Sequence, residues 1–299
     1  MSGSAPENSP QSPPRVTIVT PVLDGVQFIA RAVESVLAQD YPNVEYIVVD
    51  GGSRDGTMEI VRSYGDRIRT IVLEGTSQAQ ALNAGFAAAG GDIFGFINAD
   101  DAYLPGAISA AVATLASNPA APFVYGEADH VDEGGSRLGP YPVEPYDAIS
   151  LGMRCIVCQP AAFFRAEAFR AAGGFDPALN YALDYDLWIR LSRTASPVKF
   201  DSKIAFSCMH PGNKTLGRRR AAYEESMRVL RRHYGYVPYD WVVAYSNHVF
   251  DRSDNFFQES RGGRLNVLSS LALGLVINRH RVRYLRDWLA HRGFGINRS

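Results

Sequence analysis

The 299 residues are 46% hydrophobic and 20% charged, the balance of a soluble globular protein of one large domain or two modest ones. A net charge of −1 supplies no global field to recruit nucleic acid, and three cysteines, an odd count, argue against a disulfide framework.

In chain order, residues 1–14, MSGSAPENSPQSPP, are rich in Ser and Pro and are expected to be disordered. They show neither the basic n-region nor the apolar h-region of a signal peptide. The longest apolar run, VLSSLALGLVI at 267–277, is shorter than the ~18 residues of a membrane span. The expected location is therefore cytoplasmic.

The next hundred residues alternate strand and helix. RVTIVTPV (15–22) is a β-branched buried strand, and VQFIARAVESVLAQ (26–39) carries Phe28, Ile29, Val33, Val36 and Leu37 on one helical stripe. VEYIVVD (44–50) is a second strand. GTMEIVRSYG (56–65) is a helix with Ser53 or Asp55 placed to cap it. IRTIVLEG (68–75) is a third strand, QAQALNAGFAAA (78–89) an Ala-rich helix, and GDIFGFIN (91–98) a fourth strand. A helix then follows from Pro105 and Gly106.

This repetition predicts an α/β fold, a Rossmann-like, mostly parallel sheet flanked by helices. In such sheets ligands bind beyond the carboxyl ends of the strands. TPVLD (20–24), DGGSRDG (50–56) and NADD (98–101) all lie at such ends, so the pair Asp100–Asp101 faces the expected crevice.

The second half is less regular. PFVYGEADHVD (122–132) reads as a strand, and CIVCQPAAFFRAEAFRAAGGFD (155–176) as a strand and then a helix ending at Gly173 and Gly174. LDYDLWIRLS (183–192) starts a helix, and PVKFDSKIAFSCMH (197–210) is two short strands or one bent strand. From Glu224 the pattern is helical. Arginines crowd this last third, among them Arg279, Arg281, Arg283 and Arg286. They suit either an anionic lipid surface or a solvated helix face. Cys155, Cys158, Cys208 and His210 total a zinc set on paper. The apolar setting of CIVC reads instead as a buried strand with thiols packed as small hydrophobes.

Adjacent carboxylates at a ligand crevice are consistent with a divalent cation that in turn holds a nucleoside diphosphate. Mg²⁺ or Mn²⁺ suits carboxylate, phosphate oxygen and water. The simpler alternative is a turn and a helix cap at Asp100 and Asp101.

VTIVTPVLDG, YIVVDGGSRDGT, QAQALNAG, GDIFGFINADD, GGFDPALNYALDYDLWIRL and MHPGNKT occur in the order seen in family-2 glycosyltransferases. Over residues 15–215 the chain resembles that family, which implies the GT-A fold and an inverting nucleotide-sugar transferase. Residues 216–299 would form a helical, basic extension. The resemblance implies that Thr20, Pro21 and Asp24 line the base and ribose pocket and that Asp50 accepts from the nucleobase. Asp100 would bind ribose near the metal, Asp101 would ligate it, and His210 would contact metal or diphosphate. Asp184 would be the general base, leaving Asp186 structural. Gln78, Gln80 and Asn83 either bind donor or decorate a helix, with Gln80 favoured for the donor, and Trp188 is expected in the core.

The implied partners are a nucleoside-diphosphate sugar and a saccharide or lipid-linked saccharide acceptor, in polysaccharide or glycolipid synthesis. Three positions depart from the family pattern. Asn98 stands where many members have Asp, Leu183 where many have Glu before the catalytic acid, and Gly51 where a second acid often follows Asp50. A nucleotidyltransferase would need cations in the first loop, which TPVLDGVQF lacks. A non-catalytic sugar or nucleotide binding module is the remaining alternative.

Overall fold

A computed structural model of the chain describes residues 12–252 and 264–291. Most of the tail expected to be disordered therefore lies outside the described residues. Pro13 and Pro14 are held, their carbonyls accepting from Asn43 Nδ2 and Tyr41 Oη.

Nine strands form one sheet: β1 (Val16–Val22), β2 (Val44–Asp50), β3 (Arg69–Val72), β4 (Ile93–Phe96), β5 (Ala102–Tyr103), β6 (Phe123–Val131), β7 (Arg137–Pro140), β8 (Ala162–Arg165) and β9 (Val198–Cys208). Their order is β3-β2-β1-β4-β8-β6-β9-β5, with β7 paired to β6. The first four are parallel, as the strand–helix alternation predicts. Beyond β4 the sheet is mixed: β8 runs antiparallel to both β4 and β6, and β9 runs parallel to β6.

The helices are α1 (Ile29–Leu37), α2 (Thr57–Ser63), α3 (Gln78–Ala87), α4 (Ala107–Ser117), α5 (Ala148–Met153), α6 (Ala166–Ala171), α7 (Leu183–Leu191), α8 (Lys214–Gly217), α9 (Arg219–Tyr234), α10 (Tyr239–Asp251), α11 (Arg264–Ile277) and α12 (Arg281–His291). The two-residue period of the strands divides them between the faces of the sheet. Val16 and Ile18 pack toward Ile29 and Val33 of α1, Val61 of α2 and Ile108 of α4. Val19, Val49, Phe94 and Phe96 pack toward Leu82 and Phe86 of α3, Phe169 of α6 and Trp188 of α7. Trp188 is fully buried, as expected of a core residue. A third cluster, Met227, Tyr236, Val242, Tyr284 and Trp288, joins α9 to α12.

Two sequence readings change. Ile156, Val157 and Cys158 are buried and Cys155 is partly so, but CIVC forms no strand. It leads irregularly into a 3-10 turn (Gln159–Ala161), and the strand begins only at Ala162. The stretch 197–210 is one strand, β9, with register irregularities against β6. Strands β5 and β7 and helix α5 were not legible as elements. Asp55 does serve the start of α2, accepting from the Thr57 N–H, whereas Ser53 turns to Asp50.

Among the described residues no helix is long and apolar enough to cross a membrane. Helix α11 nevertheless leaves Leu268 62% and Val276 81% exposed, and Val282 on α12 is 66% exposed.

Candidate active site

A cavity of about 710 Å³ opens at the carboxyl ends of β1 and β4, where the topology of a parallel sheet places ligands. Its walls include Pro21, Asp24 and Gly51 from the first two loops, Asn98 to Asp101 after β4, Asp184 on α7, and His210 beyond β9. Six of the nine residues singled out for binding or catalysis thus lie on one cavity: Pro21, Asp24, Asp100, Asp101, Asp184 and His210. Thr20, Asp50 and Gln80 are not among its lining residues.

The acidic pair divides its work. Asp101 is buried, one oxygen accepting from the Cys208 N–H at 2.9 Å and the other from Asn98 Nδ2 at 3.1 Å. Burial, with the neighbouring Asp100 charge, pushes its carboxyl well above the usual aspartate range. Asp100 instead offers Oδ2 toward the cavity wall. It lies 3.2 Å from His210 Nε2 and 3.3 Å from Asn213 Nδ2. His210 is bracketed on its other nitrogen by Glu133 at 3.7 Å and packs against the Phe28 ring at 4.7 Å. Asp100 thus turns Oδ2 toward the cavity, while both Asp101 oxygens are engaged by protein donors.

Asn98 explains why an amide stands where many members have an acid. Its Nδ2 donates both to Asp101 and to Gln159 Oε1, and its Oδ1 accepts from Gln78 Nε2 at 2.7 Å. A carboxylate has no proton to donate to Asp101 or Gln159.

The first two loops are laced together. Asp24 adopts the left-handed backbone, φ 50°, which aspartate tolerates better than most residues. Its N–H donates to Ser53 Oγ, and its Oδ1 accepts from the Arg54 N–H. Asp50 is buried and accepts from the N–H groups of Gly52 and Ser53 and from Ser53 Oγ. It organises the turn that Asp and Gly favour. Thr20 is buried against the Tyr46 hydroxyl at 3.0 Å. Gln80 completes a capping box with Ser77 at the start of α3, so its side chain serves the helix. Asn83 is likewise structural, bonded to both backbone groups of Phe175.

Asp184 sits in the first turn of α7, half-buried on the cavity wall. Desolvation by burial raises its carboxyl to about 6, and the charge of Glu225 adds to the effect. Asp186, two residues on, is buried in ion pairs with Arg190 and His233, each at 2.7 Å. It faces away from the chemistry, as its first-turn position allowed.

The Glycosyl transferase family 2 model matches residues 17–171. The chain belongs to that family. A glycosyltransferase of uncharacterised role from Rickettsia felis is 34% identical over 201 residues, 64% of this chain and 33% of the relative. Chondroitin synthase of Escherichia coli is 26% identical over 208 residues, 68% of this chain and 30% of the enzyme. The matches thus span about a third of these relatives' length.

The fold is shared with proteins of solved structure. S. aureus TarS 1-349 in complex with UDP-GlcNAc superposes with a TM-score of 0.64 at 15% identity, over 95% of this chain and 93% of that one. The mannosyltransferase PcManGT from Pyrobaculum calidifontis, in complex with GDP-Man and Mn2+, gives 0.56 at 19% identity, over 96% and 82%. The family match ends before Asp184, so the α7 carboxylate is placed by the fold and not by that match.

Several site residues of this family-2 chain were not legible in its sequence. Gln159, bonded to Asn98 and to the Phe96 carbonyl, supports the acidic loop. Asn213 carried a signal in HPGNKT, but its bond to Asp100 did not. Lys214 Nζ reaches Gln78 Oε1 at 3.0 Å and lies over the Tyr181 ring, strapping the mouth of the cavity. Glu225, 45 residues beyond Asn180, accepts from its N–H.

A divalent cation fits this donor set in part. Among the described residues, no three His, Cys, Asp or Glu side chains are grouped to hold a metal. Asp100 Oδ2 and His210 Nε2 form a two-donor edge of oxygen and nitrogen, which leaves positions for substrate oxygens and water.

Proposed function

We propose that this protein transfers a sugar from a nucleoside diphosphate to a hydroxyl acceptor, with inversion and with the help of Mn²⁺ or Mg²⁺. The observation that carries the reading is one cavity lined by both Asp184, its carboxyl raised to about 6, and the Asp100–His210 edge.

Asp184 accepts the proton of the acceptor hydroxyl as that oxygen attacks the anomeric carbon. A carboxyl near 6 is ionised at neutral pH and still basic enough to take it. The new C–O bond forms as the bond to the diphosphate breaks, on the opposite side of a carbon with oxocarbenium character. The proton ends on Asp184 and the electron pair on the diphosphate. One displacement inverts the centre, and no sugar is bound to the enzyme. Asp100 and His210 would hold the cation, which supplies Lewis acidity toward the charge growing on the leaving group. Asp101, Asn98 and Gln159 keep Asp100 in place. Pro21, Asp24 and Gly51 would form the wall for base and ribose, with Asp50 and Thr20 fixing the backbone behind it.

UDP and GDP head the donor candidates, since related folds bind UDP-GlcNAc and GDP-Man. Saccharide acceptors are supported by the likeness to chondroitin synthase and to the O-antigen biosynthesis protein RfbC of Myxococcus xanthus. A lipid-linked acceptor would suit the apolar and basic face of α11 and α12.

Calorimetry tests the site. UDP, GDP, dTDP and CDP are titrated with Mn²⁺, Mg²⁺ or chelator into wild type and Asp100→Ala. One nucleotide is expected to bind, only with metal, and to be lost in the variant. No binding under any condition overturns the reading, and binding with no transfer to any acceptor leaves the non-catalytic module.

A further inference from the structure

Many family members have Glu immediately before the catalytic acid, where this chain has Leu183. That side chain is buried in the core, so no carboxylate adjoins Asp184 on its N-terminal side. The N-terminus of α7 is also bare of a local cap. Ala182 occupies the capping position and provides no side-chain acceptor. The N–H groups at a helix start lack intrahelical partners and need one from elsewhere.

Glu225 of α9 brings an acceptor to the Ala182 N–H at that start and to the two amides ahead of it. It is 4% exposed. Its Oε1 accepts from the N–H groups of Asn180 at 2.8 Å, Tyr181 at 2.5 Å and Ala182 at 2.8 Å. A single oxygen thus gathers three consecutive amides that lead directly into the turn bearing Asp184. Asn180, Tyr181 and Leu183 themselves line the cavity. Helix α9 is held to α7 independently by His233 on Asp186, which fixes the distance over which Glu225 reaches.

We propose that Glu225 is the positioning residue for the base, anchoring Asn180–Ala182 and so the first turn of α7 and Asp184 against the cavity. The inference rests on the glycosyl-transfer reading. It gives α9 a part in the chemistry of a cavity walled mainly by the sheet loops. A carboxylate arriving from another helix takes over the orienting role that Leu183 gives up.

The groups acting on or near Asp184 come from several elements. Glu225 comes from α9, Tyr141 follows β7, and Cys155 and Cys158 precede the 3-10 turn. Of these, Glu225 is the carboxylate, so removing its charge without its acceptor oxygen separates two effects. Glu225→Gln keeps an oxygen for the three amides, and Glu225→Ala keeps neither oxygen nor charge.

The test reads Asp184 by carboxyl ¹³C titration, and amides 180–182 by hydrogen exchange, in wild type and both variants. Steady-state rates follow with the donor that binds. In Glu225→Gln the Asp184 midpoint is expected to move from about 6 toward the ordinary aspartate value, with the amides still protected. In Glu225→Ala the amides lose protection and kcat falls about 10- to 100-fold at unchanged donor KM, the loss a misplaced base brings. Glu225→Gln recovers most of that kcat. Amides 180–182 that stay protected in Glu225→Ala overturn the proposal, as does a folded Glu225→Ala with wild-type kcat. If the Ala variant does not fold, Glu225→Asp, whose shorter side chain cannot reach all three amides, decides by the same exchange and kcat. Neither titration nor exchange needs a donor, so absence of transfer with every donor counts against the transferase reading alone.

Discussion

At Asp100 and Asp101 the backbone turns so that one carboxylate enters the protein and its neighbour meets the cavity. The cost of two like charges side by side is reduced because Asp101 is held by Asn98 and the Cys208 N–H, and its raised carboxyl takes up a proton readily. Asp184 shows the same coupling of function to cost. An acid raised by burial holds its proton more tightly in the fold than in the unfolded chain. Ionising it therefore costs stability, a cost absent below about pH 4 and complete above about pH 6. For a half-buried group this is on the order of 1–2 kcal/mol. Asp184→Asn is expected to raise the melting temperature at pH 8 but not at pH 4, measured by calorimetric scans. The same variant should lose 10²- to 10⁴-fold in kcat with nucleotide affinity retained, and wild-type kcat should fall below pH about 6. Asp184 and Asp100 were readable as cavity-lining residues because their motifs run unbroken in sequence. The inward turn of Asp101 was not, because Cys208 lies 107 residues away. Gln80 misled because its capping box with Ser77 is a local motif that also looks like a donor contact.

Among the elements, the parallel half was legible because each strand and helix carries its own period. Val19 and Ile18 sort to opposite faces within one strand. In the mixed half, the long strands β6 and β9 were legible, but β5 and β7 were not, since such short strands exist only through their pairing with β9 and β6. CIVC deceived because burial alone does not distinguish a strand from an apolar loop. Helix α3 shows how tightly the legible half is built. A Cβ on Gly85 would come within 2.6 Å of Val19 Cγ1 and 3.1 Å of Val49 Cγ2. Gly to Ala in a helix usually gains about 1 kcal/mol. Here overpacking against the sheet should outweigh it. Gly85→Ala is expected to lose a net 1–3 kcal/mol in urea denaturation. Because α3 also carries Gln78, the variant should weaken nucleotide binding too.

On the scale of the whole molecule, the described C-terminal helices turn an apolar edge outward. Leu268 and Val276 lie on α11 two turns apart, and Val282 opens α12. Arg279, Arg281, Arg283 and Arg286 accompany them, against a single acid in this stretch, Asp287, which accepts from the Tyr236 hydroxyl. Each arginine near an anionic bilayer contributes about 1 kcal/mol, and the apolar side chains add to it on insertion. The protein should therefore sediment with phosphatidylserine-containing vesicles, less at high salt, and hardly at all with neutral ones. Val276→Asp combined with Val282→Asp should abolish sedimentation. Equal recovery with both vesicle types would reduce the arginines to a solvated face.

The strap from Lys214 to Gln78 has a consequence for tempo. Burial lowers the Lys214 ammonium from its ordinary value, and its partner is a neutral amide. Such a bond is worth about 1 kcal/mol net, so it favours this contact over its loss only ~5-fold. A latch this weak barely slows the arrival of a nucleotide. On the glycosyl-transfer reading, a diphosphate bound beside it would give the ammonium a charged acceptor, and the balance would shift toward this contact. The strap is light for the empty enzyme and heavier for the loaded one. On the glycosyl-transfer reading, that asymmetry would let the donor come quickly and would make departure of the spent nucleotide the slow event of each cycle.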